Sequence, residues 1–431
     1  MSQSPDIKAI VHPFFDQLCD HVRSRRSNQD LVGWIIRSPK QFMPGYTMLS
    51  QLGNHWWQRV LNRVISRCVP GLWPRWFGRA IYQASVPAWS MLYDRLSPEQ
   101  ALFRDRYHEY LRSYIGTVSS VIRYATFGEL VRTLNQCSQA WLEAAELSPN
   151  LFADVKDQQN QACTEIYASI RDEFLAHDQS LLLGMSLSLM GNWFDILNRS
   201  HGEFEQQFKG LINTLFDDLS TLSIENTSNP LFTPTRACQF LSTGPKHLIY
   251  HCDNAGEVIM DLLLIECLLK QGHRVSLVAK PAPVLNDITL SDLSDLLAQP
   301  SFSHLKAYET NNQFKTYSLS TAFPTQSLAM APKGYQDLIQ TGDLIILKGQ
   351  ANFDGYPIGD MRLGKFRPIQ YKSPILYITG IRAQMTKAAT APFFRHHRNG
   401  EPFRHVLYFY DASDPSTYPI YRKVSTGLTG V

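Results

Sequence analysis

From Lys246 to Leu293 the chain reads KHLIYHCDNAGEVIMDLLLIECLLKQGHRVSLVAKPAPVLNDITLSDL. Its first seven residues form a short apolar run of the kind a buried strand uses. Ala255 to Lys270 then set Val258, Leu262, Ile265 and Leu269 at i, i+4, i+7 and i+11, the spacing of an amphipathic helix. Gly272 follows as the C-terminal stop, because glycine takes the left-handed conformation that ends a helix. Arg274 to Ala279 (RVSLVA) return to strand, and Thr289 opens a TLSD capping-box pattern ahead of another helix. Farther on, Asp343 to Leu347 (DLIIL) and Pro374 to Ile378 (PILYI) are two more strand candidates. Strands alternating with helices predict a mostly parallel sheet with right-handed crossovers.

Upstream the pattern changes. Phe127 to Ala145 place Leu130, Leu134 and Trp141 on one helical face, and Leu197 to Leu219 place Phe204, Phe208, Ile212 and Phe216 at steps of four. The spacing predicts a helical domain over 1–230 and an α/β domain over 236–431. Asn226 to Thr235 (NTSNPLFTPT), rich in turn formers, is the linker between them. At 431 residues two domains are expected.

Composition narrows the function. A net charge of +3 argues against a general nucleic-acid binder, which must neutralise many phosphates. Seven scattered cysteines without a CxxC pair read as reduced thiols. The N-terminus lacks a basic-then-apolar signal pattern. The apolar stretch Leu181 to Met190 falls short of the about 20 residues a bilayer needs, so no transmembrane segment is expected. A cytoplasmic protein is expected.

In open α/β sheets ligands bind beyond the carboxyl ends of the strands. Polar residues gather at those places: Asp253, Asn254, Ala255, Gly256 and Glu257 after the first strand, and Asn286-Asp287 after the second. Lys348, Gly349, Gln350, Ala351 and Asn352 follow the third, and Thr379 to Arg382 the fourth. Asp253, Asn254 and Asp287 offer two carboxylates and an amide oxygen to a hard divalent cation. Lys348 and Arg382 offer cationic groups to phosphate oxygens, and the helix opening at Ala255 adds its positive end. Taken singly, each has a plainer reading: an Asp-Asn after a strand is ordinarily a turn or helix cap, and a strand-end lysine is ordinarily solvated.

HCDNAGEVIMDLLLIECLLKQGHRVSLVAKPAPVLNDITLSDL, His251 to Leu293, closely resembles the signature of the damage-control phosphatase family, formerly a domain of unknown function. DLIILKGQANFDG, Asp343 to Gly355, is similar to its KGQGN-type motif. The resemblance implies a three-layer α/β/α Rossmann-like domain preceded by an all-helical N-terminal domain. It implies a Mn, Mg, Co or Ni ion held by Asp253, Asn254 and Asp287, with Asp253 and Asp287 in the catalytic roles. Glu257 and the Lys348 to Asn352 loop, Gly349 included, would meet the substrate, with Lys348 on its phosphate. Family members hydrolyse small phosphate esters, among them sugar phosphates and damaged phosphometabolites. Whether metal-bound water or a carboxylate attacks stays open.

Two departures qualify the resemblance. The sugar-phosphate branch carries an Arg-Thr-x-Lys motif, where this chain has Arg382-Ala-Gln-Met385 and a lysine only at Lys387. Lys387 either replaces the missing cation or leaves the phosphate grip weaker. Another branch carries a CxxC, absent here. The rival reading is a non-catalytic metal- and phospho-ligand-binding protein, with the helical domain available to a protein partner. A protein carboxyl methyltransferase ranks below it, since no GxGxG loop follows a strand. His55 to Arg79, with five arginines and four tryptophans, reads first as a packed helical cap and second as a membrane-surface or partner helix. Arg395 to Arg398 (RHHR) reads as an exposed basic loop.

Overall fold

The computed structural model describes residues 6–27, 96–122, 127–150, 152–191, 210, 232–318, 333–356, 359–362, 365–368, 371–381 and 404–418. The segments 197–219 (Gly210 apart), 55–79 and 395–398 therefore lie outside the described residues, as do Arg382 and Lys387. By contacts the chain divides into two units. One comprises Met1–Lys156, Lys280–Asp287 and Thr321–Ser327; the other comprises Asp157–Ala279, Ile288–Ser320 and Leu328–Val431.

The first unit is built on α1 (Ile7–Ser27), α2 (Pro98–Ile122) and α3 (Phe127–Ala144). The periodicity read in α3 is used for packing: Leu134 and Trp141 are buried, and Trp141 stacks on Phe103 at 6.1 Å. Val11, Phe15 and Val22 from α1 and Tyr107 and Ile115 from α2 complete one apolar cluster.

In the second unit come α4 (Ala153–Ala176), whose first residues belong to the other unit, α5 (Ser180–Gly191) and α6 (Pro234–Leu241). Then follow β1 (His247–His251), α7 (Glu257–Lys270), β2 (Arg274–Ala279), α8 (Leu290–Leu297), α9 (Leu305–Thr310) and β3 (Phe314–Ser318). The order continues with α10 (Lys333–Thr341), β4 (Leu344–Lys348), α11 (Gln350–Gly355), the antiparallel pair β5 (Gly359–Arg362) and β6 (Lys365–Pro368), β7 (Ile375–Ile381) and β8 (Arg404–Tyr410). The six-stranded sheet has the order β3-β2-β1-β4-β7-β8, parallel except for β8 against β7. Among the described residues before 230 only helices occur.

Each central strand is buried on both faces, which is why its sequence is a continuous apolar run. Leu248, Tyr250, Leu277, Leu344 and Ile346 face one layer with α4, α5 and α7; Ile249, Val278, Ile345 and Leu347 face the other with Tyr335 and Ile339 of α10. Three layers result. Gly272, at φ 88°, ends α7, with its amide on the Leu269 carbonyl at 3.0 Å. The TLSD capping box is formed: Thr289 Oγ1 accepts from the Asp292 amide at 3.1 Å, and Asp292 Oδ2 accepts from the Thr289 amide at 3.0 Å.

One sequence expectation is corrected. α7 is not amphipathic in place, because every residue from Glu257 to Leu269 is buried. The apolar α5 packs against α7 at Glu257, Asp261 and Leu264. No described helix is long and apolar enough to cross a membrane. Among the described residues six cysteines lie outside any disulfide, five of them buried.

Candidate active site

β1 lies between β2 and β4, so the chain turns to opposite sides of β1 on its two crossovers. A strand order that reverses this way leaves a crevice at the carboxyl ends of the two central strands. The Asp253–Glu257 turn follows β1 into that crevice, and Gly349–Asn352 follows β4.

The β1 turn is fixed by backbone demands. Gly256 sits at φ 74° as the residue before α7, and a Cβ there would lie 2.9 Å from the Gln159 Cβ of α4. Its amide donates to Asn160 Oδ1 at 2.7 Å. Both the positive φ and the close approach of α4 therefore require glycine. Gly349, at φ 85°, plays the matching part after β4: a Cβ there would overlap the Asp253 carboxylate. The buried Asp253 thus packs against bare backbone.

Behind Asp253 lies a buried charged network. Asn254 Nδ2 donates to Glu257 Oε1, and also to Asp253 Oδ2 at 3.3 Å. Lys348 Nζ donates to Glu257 Oε2 at 2.8 Å and to Asp261 Oδ1 at 3.1 Å, and the lysine is 0% exposed. Ser188 Oγ of α5 adds a 2.6 Å bond to Asp261 Oδ1 and lies 3.1 Å from the Tyr250 hydroxyl. α5 comes close because its last residue is Gly191, where a Cβ would lie 3.0 Å from Glu257 Cβ and 3.1 Å from Lys348 Nζ. Burial works to neutralise Lys348, but the carboxylates of Asp261 and Glu257, helped by Asp253, hold its ammonium above the ordinary lysine range. Burial pushes Asp261 above the usual carboxylate range, with Lys348 acting the other way.

Asn352 of α11 ties the ends of β1 and β4 together: its buried Nδ2 donates to the Cys252 carbonyl at 3.1 Å and to the Lys348 carbonyl at 2.7 Å. Its Oδ1 is buried and without a hydrogen-bond partner among the described residues. The structure thus brings Asp253, Asn254, Glu257, Lys348, Gly349 and Asn352 together in the second unit. Asp287 ends the Lys280–Asp287 segment, which groups with the first unit. Its Oδ2 lies 3.5 Å from Lys280 Nζ, and the amide of the next residue, Ile288, donates to the Asp253 carbonyl at 2.9 Å.

Sequence reading missed Asp261, Ser188 and Tyr250. The signal for Asp261 was present: it stands one turn after Glu257, on the same side of a helix otherwise nearly all apolar. Ser188 and Tyr250 carry no such pattern.

Among the described residues no group of three or more His, Cys, Asp and Glu side chains is placed to hold a metal ion. A metal here would need amide oxygens as well as carboxylates. The neighbouring Asp253 and Asn254, the space that glycine leaves at 349 and the open Asn352 Oδ1 fit a hard cation that takes oxygen ligands.

The family model that matches the chain describes a damage-control phosphatase ARMT1-like domain and covers residues 73–355. The chain belongs to that family. It is 21% identical over 215 residues to an Archaeoglobus fulgidus protein named damage-control phosphatase, covering 49% of this chain and 65% of that protein. It is 29% identical over 126 residues to the uncharacterized protein MJ0202 of Methanocaldococcus jannaschii, covering 29% of this chain and 37% of the relative. The matches span less than two thirds of either relative's length. A solved DUF89 family protein from Pyrococcus horikoshii superposes with a TM-score of 0.48 at 16% identity, covering 69% of this chain and 90% of the other.

Proposed function

We propose that the chain is a metal-dependent phosphomonoester hydrolase acting on small phosphate esters such as sugar phosphates or damaged phosphometabolites. The observation that carries this reading is the meeting of the Asp253–Glu257 turn with the Lys348–Asn352 segment, from the end of β4 into α11, at the strand-order reversal. Asp253, Asn254 and Asp287 would hold a divalent Mn, Mg, Co or Ni ion; Asp287 enters through the sequence motif. When bound, such an ion polarises a phosphoryl oxygen and makes water more acidic. Glu257 is held in one orientation by Asn254 and Lys348, which suits a group that must orient a substrate hydroxyl or water. Lys348 supplies a permanent positive charge on the sheet side. Asn352 and Gly349 would meet the substrate, and Arg382 or Lys387 would complete the phosphate grip. The start of α7 adds partial positive charge toward an anion.

A second reading, a binder of metal and phospho-ligand without turnover, is favoured by one observation: Lys348 Nζ is enclosed and already paired with two carboxylates. Phosphate release from a panel of sugar phosphates and an aryl phosphate, with Mg, Mn, Co or Ni and with a chelator, separates the two. Metal-dependent release lost in Asp253→Ala establishes the hydrolase. Metal binding with no release from any ester establishes the binder.

A further inference from the structure

We infer that the helical unit positions the loop that carries Asp287, through Asn135 and Gln139 of α3. This rests on the proposed metal role of Asp287.

The loop leaves β2 at Lys280 and rejoins the sheet unit at Ile288, yet by contacts Lys280–Asp287 belongs to the helical unit. Asn135 and Gln139 stand four apart on α3, on one helix face. Both donate to the same acceptor, the Pro283 carbonyl, at 3.3 Å and 2.6 Å respectively. Two amide side chains converging on one backbone carbonyl fix a loop at that point more firmly than either would alone. The anchor stands at the start of a tight turn, in which the Asp287 amide donates to the Val284 carbonyl at 3.0 Å.

That turn is strained. Leu285 takes a left-handed φ of 50° while 48% exposed. A leucine in that conformation is disfavoured and persists only where the surroundings over-determine the backbone. Val284 and Asn286 on either side of it are buried. The Pro283 anchor supplies the missing constraint, and Asp287 closes the turn with its carboxylate toward Lys280. Side chains that fix a metal ligand's support act on metal affinity without touching the metal. Asn135 and Gln139 are thus positioning residues. The sequence hinted at neither, because two amides on a helix read as solvated surface.

The test is calorimetric titration of the full chain with Mn(II) alone, without substrate, well below the melting temperature. Asn135→Leu/Gln139→Leu removes both donors while keeping side-chain bulk. Expected is roughly ten- to a hundredfold weaker Mn(II) binding, with faster hydrogen exchange confined to the amides of 280–287. Asp287→Ala is the control. If Asp287→Ala loses Mn(II) and the double variant binds as wild type, the positioning role is overturned while the metal reading stands. If Asp287→Ala binds Mn(II) as wild type, the metal role of Asp287 fails and this inference with it. A double variant that melts earlier but keeps wild-type Mn(II) affinity shows ordinary packing and also overturns the proposal.

Discussion

Replacing Lys348 by methionine removes the one ammonium between Glu257 and Asp261 while nearly keeping the side chain's volume. The lysine has no exposed surface, and both carboxylates it bonds are buried, so water cannot stand in for it. Breaking a buried ion pair from one side costs about 3–5 kcal/mol, because the charge left behind is uncompensated. For a unit of this size that lowers the unfolding midpoint by on the order of 10 °C. The pH dependence follows in sign. In the wild type the raised folded-state value of Lys348 gives stability that is fully present below the ordinary lysine value. That stability is lost only as pH rises through the higher folded value. In Lys348→Met, Asp261 loses the partner that offsets its burial, so its folded value rises further. The deficit is then full at neutral pH and shrinks as acid protonates the stranded carboxyl. Adding Asp261→Asn recovers part of the loss, and a double-mutant cycle by urea unfolding reads the coupling. Equal midpoints for wild type and Lys348→Met between about pH 5 and 8, where the carboxylates are ordinarily ionised, would refute the buried network.

Gly349→Ala is expected to abolish metal-dependent activity, since the new methyl group displaces the Asp253 carboxylate and the backbone stands at φ 85°. Mn(II) titration beside phosphate release checks this, and wild-type binding would count against Asp253 as ligand. In the helical unit, burial, then the charges of Arg112 and Arg104, lower His108 from 6.5 to about 4. A depressed histidine contributes stability that is present above its unfolded value and lost as pH falls from about 6.5 to 4, up to about 3 kcal/mol. His108→Gln should flatten that acid limb in thermal melts. Thr289→Ala should cost about 1 kcal/mol by opening the capping box, and Thr289→Ser should restore it, as read from urea midpoints.

The central strands were legible because a strand buried on both faces has no polar side: HLIYH, RVSLVA, LIILK and ILYI announce themselves by composition. β3, FKTYS, went unread because only Phe314 is fully buried on that edge. β8, RHVLYFY, is the antiparallel edge strand and has no strand–helix spacing to reveal it. At the site, Asp253, Asn254, Glu257 and Lys348 stood at strand ends, where topology alone gathers them. Asp261 did not, because its role depends on α5 covering α7, and the periodicity of one helix cannot show what another helix buries. For the same reason the anchoring of Pro283 by α3 was invisible: its donors and acceptor lie 144 and 148 residues apart.

The charge balance of the site gives the proposed metal a role beyond chemistry. Asp253, Glu257 and Asp261 gather about the ammonium of Lys348 within one buried region. A phosphate ester approaching that turn carries negative charge toward these carboxylates. At close range and low dielectric this repulsion is strong, and Lys348 is already paired with two carboxylates. A divalent ion on Asp253 would reverse the sign of the field where the phosphate must sit. On the proposed reading the ion is therefore needed for binding as well as for hydrolysis. A chelator should abolish ester binding by calorimetry, and should not merely slow turnover.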